Sequence, residues 1–238
     1  MEATYSSYDF LHAVERIDEI LDSSENNFPI VKEIPSRDKL TFTNGYYVSA
    51  SALCVDMRGS SDLSEKYSQP VLAKIYRSYI SEMVAVLKGN TQISEIYIEG
   101  DGVWGVFDTP HKSDIDAVFS TGAKVASLIE ILNHRYRARG IQPIKVGIGM
   151  TYGQALYIKA GYKGSAINEV VWLGKLVSDA HTLCSYGNRT IYDKRTMVSK
   201  IFHQNLNDHN KGLFEYSYNR DCYHGNIINT KMDEWLTR

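Results

Sequence analysis

The sequence predicts an α+β fold, and three observations point to it. Apolar stretches rich in small and β-branched residues recur at Tyr46 to Asp56, Gln92 to Ile98, Val103 to Phe107 and Ile144 to Met150, with turn residues around them. Longer segments with apolar residues at helical spacing lie between these stretches. The order, strand, helix, hairpin, helix, hairpin, helix, matches βαββαβ, a ferredoxin-like sheet with its helices on one face.

Each element follows from local pattern. Phe10, Leu11, Val14, Ile17, Ile20 and Leu21 repeat at helical spacing, so Tyr8 to Ser23 reads as an amphipathic helix. Glu25 to Asn44 is polar and carries Pro29 and Pro35, which reads as a linker. The chain therefore divides into an N-terminal helix and linker over 1–44 and a domain over 45–238. After the first strand, Arg58-Gly59-Ser60-Ser61 forms a turn, and Asp62 and Glu65 have capping-box spacing. Pro70 suits the first turn of a helix running to about Lys88. Glu99-Gly100-Asp101-Gly102 joins the next two strands as a hairpin turn. A helix is expected from Ser113 to Arg139, then a second hairpin, Ile144 to Met150 and Ala155 to Ile158, turning at Tyr152-Gly153. Gly174 to Ser185 reads as a helix ended by Gly187, with short strands at Arg189 to Tyr192 and Leu213 to Tyr218.

Composition narrows the function classes. The net charge of −2 provides no field for nonspecific binding to nucleic acid or to an anionic membrane, so an anionic ligand must be met by local groups. No apolar run reaches the roughly 20 residues that span a bilayer. Met1 to Phe10 carries Glu2 and Asp9 and no base, unlike a secretory leader. Cys54, Cys184 and Cys222 are odd in number and form no CxxC pair, which places the chain in a reducing cytosol. The seven histidines lack HExxH or HxxxH spacing, so zinc is not expected.

Two acids carry the chemistry. Asp56 ends the first strand and Asp101 sits at the tip of the first hairpin. Taken singly, each has an ordinary structural reading as a turn former or cap. In a ferredoxin-like sheet, however, the first strand and that hairpin are neighbours, so both carboxylates meet at one point. Adjacent carboxylates repel unless a cation neutralises them. Hard oxygen ligands of this kind suit Mg²⁺ or Mn²⁺ held together with substrate phosphates.

The segment Cys54-Val55-Asp56-Met57-Arg58-Gly59-Ser60-Ser61-Asp62-Leu63-Ser64-Glu65 resembles the D-I-R-G-F-T-x-L-S-E segment of class III adenylate/guanylate cyclases. Ile98 to Val103 resembles that family's GD hairpin, Lys145 to Gly153 its K-V-G-I-x-x-G strand, and Val171 to Ser178 its x-I-G-x-x-V-N helix start. All four occur in family order between Tyr46 and Gly187. The resemblance implies a homodimer that cyclises a nucleoside triphosphate with two Mg²⁺ or Mn²⁺ ions per site. It assigns Asp56 and Asp101 to the metals, with Met57 beside them. It places Lys211, in a late K-G pair, at the triphosphate. The main-chain N–H groups of the turn after Met57, at Arg58 and Gly59, suit phosphate oxygens, with the Arg58 side chain as a further aid. Lys175 is another candidate for substrate binding.

The sequence departs from that family at two places. Its transition-state Asn and Arg are Ser178 and Thr182 here, with Lys175 and Arg189 as candidate substitutes. Its base selectors fall on Tyr97 and Val171, which match neither the adenine nor the guanine code. Tyr97, Glu99 and Asp101 would share one strand face. A bulky aromatic narrows the base pocket and favours uracil or cytosine. In this respect the chain resembles the pyrimidine cyclases of the bacterial Pycsar antiphage system, whose cUMP or cCMP activates a separate effector protein. An adenylate cyclase with an atypical pocket and an inactive nucleotide-sensing domain are the alternatives. UTP and CTP are not distinguished.

Overall fold

Asp9 accepts hydrogen bonds from the main-chain N–H groups of Leu11 and His12 and so starts the first helix, α1 (Phe10–Leu21). The computed structural model describes residues 5–165 and 167–237. After α1 the chain makes two 3₁₀ turns, Glu25–Asn27 and Arg37–Lys39. This stretch lies against the sheet: Leu40 is buried, Val31 and Ile34 pack on the core, and Ile30 bridges to Tyr47.

Then come β1 (Gly45–Arg58), α2 (Ser60–Lys66), α3 (Gln69–Lys88), β2 (Ile93–Glu99) and β3 (Gly102–Asp108). They are followed by α4 (Lys112–Arg137), β4 (Lys145–Gly161), β5 (Asn168–Leu173) and α5 (Lys175–Tyr186). The chain continues through β6 (Thr196–Val198), α6 (Lys200–Asn205), α7 (Asp208–Lys211), β7 (Glu215–Ser217), β8 (Cys222–Gly225) and α8 (Thr230–Leu236). The strands form one sheet in the order β2-β3-β1-β4-β6-β8-β7, with β5 paired to β4. Its first four strands, β2-β3-β1-β4, are antiparallel neighbours in the expected ferredoxin-like arrangement.

Strand alternation sorts β1 between two cores. Leu53, Val55 and Met57 face α3 and α4, where Ile75, Met83 and Ile129 are almost fully buried. Ala50, Ala52 and Cys54 face the other way, toward Leu176, Ala180 and Cys184 of α5. Asp56 continues this second series, so it lies on the α5 side of the sheet. Among the described residues no helix is long and apolar enough to cross a membrane.

Four local expectations are corrected. No hairpin turns at Tyr152-Gly153: β4 runs straight through, pairing Ser51 with Tyr152 and Ala50 with Gly153, because the long β1 offers partners as far as Ile158. The reversal comes after Gly161 and Gly164, which adopt φ of 141° and 87°. Arg189 to Tyr192 is a turn, closed by Asp193, which accepts from the Thr190 N–H and hydroxyl; the strand there is β6. Of Leu213 to Tyr218 only Glu215–Ser217 is a strand, because a turn bond from the Phe214 N–H to the Lys211 carbonyl precedes it. Asp62 caps nothing: α2 starts after Gly59, which is in the left-handed region at φ 66°, and Asp62 lies in its first turn.

Alternate glycines let α5 lie directly on β4. A Cβ added at Gly149 would collide with Ala180 O and Cys184 N, both main-chain atoms of α5. Neither atom can rotate away, so Gly149→Ala should cost about 2 kcal/mol by overpacking. That corresponds to a fall in Tm of roughly 4–8 °C for a chain of this size. A thermal melt in which Gly149→Ala matches the parent chain within a degree contradicts this packing.

Candidate active site

Asp56 is the antepenultimate residue of β1, opposite Gly147 of β4, and Val55 beside it pairs with Val103 of β3. The hairpin between β2 and β3 turns at Gly100 and Asp101, with Glu99 paired to Gly102 and Gly100 at φ 63°. The two acids therefore meet at one end of the sheet, as the strand order requires. Asp56 Oδ1 points to the hairpin, 3.5 Å from where a Cβ on Gly102 would stand. Burial, and then the negative charge of Asp101, hold the Asp56 carboxyl above its ordinary pKa, while Arg58 pulls the other way.

Arg58 is tied into the fold. Its Nη1 donates to Asp56 Oδ2 at 2.9 Å, its Nε to Gly187 O at 2.8 Å, and its Nη2 to Cys184 O. Met57 has its side chain in the first core, so only its main chain is available to a ligand. Gly59 begins the turn into α2. On α5, Lys175 and Ser178 are exposed, and the Ser178 hydroxyl donates to the Lys175 carbonyl at 3.1 Å. Thr182 is exposed on the same helix and Arg189 in the turn beyond it.

Lys211 is not brought to the acid pair. It ends α7 on the α4 side of the sheet, where Asn210 bonds Asp116 and Phe214 joins the first core. Nor do Tyr97, Glu99 and Asp101 form one strand face, because β2 stops at Glu99 and Asp101 belongs to the turn. Tyr97 stacks on Trp104 with ring centroids 3.9 Å apart. Its hydroxyl donates to Val170 O at 3.2 Å and accepts from Trp172 Nε1 at 3.1 Å. Val170 and Trp172 are buried, so Val171 between them faces the other side of β5.

Several neighbours of the site escaped the sequence reading. His181 of α5 lies edge-on to Trp104 and its Nδ1 is 3.5 Å from Cys54 Sγ. Arg37 pairs with the buried Glu95, two residues before Tyr97, and with Glu169 on β5. The one sequence signal for the α5 contacts was the pair Gly147 and Gly149, whose spacing of two clears one face of a strand.

A divalent cation suits the acid pair. Among the described residues no three His, Cys, Asp or Glu side chains assemble into a metal cage. Mg²⁺ does not need one, since it is commonly held by one or two carboxylates together with substrate phosphates. Burial and then the charge of Asp101 raise Asp56, and a divalent cation relieves the second of these. For a carboxyl whose folded pKa is raised, the folded state holds the proton more tightly than the unfolded state. Stability contributed by protonated Asp56 is thus present below its unfolded pKa near 4 and is lost as pH rises through the folded value. In metal-free protein, the Tm difference between the parent chain and Asp56→Asn should shift against the parent from pH 4 to 7. Mg²⁺ should reduce that shift, and a difference independent of pH contradicts the raised pKa.

No protein-family profile matches the chain. The uridylate cyclase of Treponema porcinum is 35% identical over 235 residues, covering 97% of this chain and 82% of that protein. The uridylate cyclase of Gulbenkiania mobilis is 34% identical over 212 residues, covering 86% of this chain and 82% of that protein. Among solved structures, the adenylyl cyclase CyaB from P. aeruginosa superposes with a TM-score of 0.61 at 20% identity, over 72% of this chain and 85% of that one. That likeness establishes a common fold. With more than a third of its residues shared along nearly its whole length, this chain belongs to the uridylate cyclase family.

Proposed function

We propose that the protein converts UTP to 3′,5′-cyclic UMP and pyrophosphate. The observation that carries this reading is the meeting of Asp56 and Asp101 at the end of β1, in a chain of the uridylate cyclase family. The ribose 3′-oxygen bonds to the α-phosphorus as the bond to the pyrophosphate oxygen breaks, and the hydroxyl proton passes to solvent. Asp56, Asp101 and the Met57 main chain would hold the divalent cations. Once bound, these lower the cost of ionising the 3′-hydroxyl and offset charge on the triphosphate. The remaining work of the chain is to align the ribose with the phosphate and to fix charge around it.

The exposed face of α5 completes the site from a second copy. Lys175 and Ser178 point outward, away from the core that seals α5 to β4. A twofold dimer then sets this face opposite the partner's acid pair and makes two equivalent sites. Tyr97 selects the base by occupying volume. Its ring is held flat against Trp104 and its hydroxyl is committed at both ends, which supports a side chain too fixed to move aside for a second base ring.

Purified protein with Mn²⁺ and the four nucleoside triphosphates tests the reaction directly. UTP should give cUMP in excess over every other product. Asp56→Ala or Asp101→Ala should lower the rate on the order of a thousandfold. Mixing Asp56→Ala with Lys175→Ala chains should restore activity, since one site per mixed dimer is whole. ATP as preferred substrate, a tenth of the parent rate in either acid variant, or an active monomer each contradicts part of this reading. At the base, Tyr97→Phe should keep the preference for UTP over ATP within about threefold, because the ring and its stack survive. Tyr97→Ala should erode that preference tenfold or more, and equal effects of the two variants contradict selection by volume.

A further inference from the structure

Arg58 is the last residue of β1, on the face it shares with Cys54 and Asp56. Three of its nitrogens are bonded, and to two different elements. Nη1 holds Asp56 Oδ2. Nε and Nη2 hold Gly187 O and Cys184 O at the end of α5, where Cys184 O also accepts from the Gly187 N–H and the helix dipole favours a cation. The guanidinium reaches them only because residue 147 is glycine, since a Cβ there would collide with both Arg58 Nη2 and Cys184 O. The Arg58 side chain is only 14% exposed, so it is a poor candidate for reaching into solvent to meet a phosphate.

The direction of the Asp56 carboxylate follows from this arrangement. Arg58 takes Oδ2, which leaves Oδ1 turned to the hairpin that carries Asp101. A carboxylate free to rotate would satisfy its own repulsion by turning away from Asp101. We infer that Arg58 is a positioning residue: it presents Asp56 Oδ1 to the cation site and fixes the last turn of α5 in the same frame. The inference rests on the reading of Asp56 as a cation ligand.

Charge and positioning predict opposite results for metal binding. Arg58 is a cation beside a cation site, so its removal on charge alone should tighten Mn²⁺. If Arg58 aims the ligand, its removal should weaken Mn²⁺ instead. Mn²⁺ alone is titrated into the full chain and followed by electron paramagnetic resonance of the free ion, for the parent, Arg58→Ala, Arg58→Gln and Arg58→Lys. UTP turnover is measured in parallel. Arg58→Ala and Arg58→Gln are expected to weaken Mn²⁺ at least fivefold and to lower kcat at least thirtyfold, with KM for UTP within threefold. Arg58→Lys restores part of both, since an ammonium reaches Asp56 but not all three acceptors. If Arg58→Ala does not fold by circular dichroism, Arg58→Gln and Arg58→Lys decide the matter.

Unchanged or tighter Mn²⁺ binding in the folded variants overturns the inference. So does a tenfold rise in KM with kcat retained, which marks a direct phosphate contact. A parent chain that binds Mn²⁺ but yields no cyclic nucleotide refutes the proposed reaction, and the Mn²⁺ titrations still decide the role of Arg58.

Discussion

β1 is hydrogen-bonded on both sides over the stretch that leads to the site, to β3 from Ala50 to Val55 and to β4 along its full length. A strand held on both sides cannot slip by one residue without exchanging its two faces. Such a slip would send Leu53, Val55 and Met57 out of the core under α3 and α4, and Asp56 into it. The apolar cost of that exchange is several buried side chains, each worth about 1.5–3 kcal/mol. The register that buries the core is therefore the register that brings Asp56 to the hairpin tip. The place of Asp56 is thus inherited from packing, and only the direction of its carboxylate is set locally, by Arg58.

Electrostatics work against the pair. The chain carries a net charge of −2 and offers no field to draw in a triphosphate. Asp56 is half-buried beside Asp101, and Arg58 offsets their charge only in part. A triphosphate approaching two carboxylates meets further repulsion. Divalent cations held by the acid pair, as proposed, would reverse both effects at once, since Mg²⁺ is commonly held by carboxylates together with substrate phosphates. Metal and nucleotide binding would then be thermodynamically linked, each raising the affinity for the other by the same factor.

Much of this was legible in the sequence because it depends on short-range pattern. The β1 strand, the Gly100-Asp101 turn and the helix α3 behind Pro70 each follow from residues within one or two turns of chain. The strand order then places Asp56 beside Asp101. What stayed hidden depends on partners far along the chain. Gly153 reads as a turn residue in its own window, but β1 supplies a ladder that carries β4 through it. Arg58 reads as a phosphate ligand because its partners, Cys184 and Gly187, lie more than a hundred residues away. Tyr97 reads as an aromatic that narrows the base pocket, but its stack on Trp104 and the bonds of its hydroxyl to Val170 and Trp172 were not visible from its own window.

The same long-range contacts fix α5 to the sheet, as the proposed role of its outer face in a second subunit would require. Its inner face meets main chain directly at Gly147 and Gly149, and its end is tied to β1 through Arg58. A helix held by backbone contact has little freedom to shift independently of the strand beneath it. Displacement of Asp56 therefore displaces the end of α5, whose outer face carries Ser178 and Thr182. In the proposed twofold assembly that face would border the partner's acids. Each site would then be sensitive to the state of the other through a single stiff element. The route runs from one carboxylate, through one guanidinium, to the last turn of one helix.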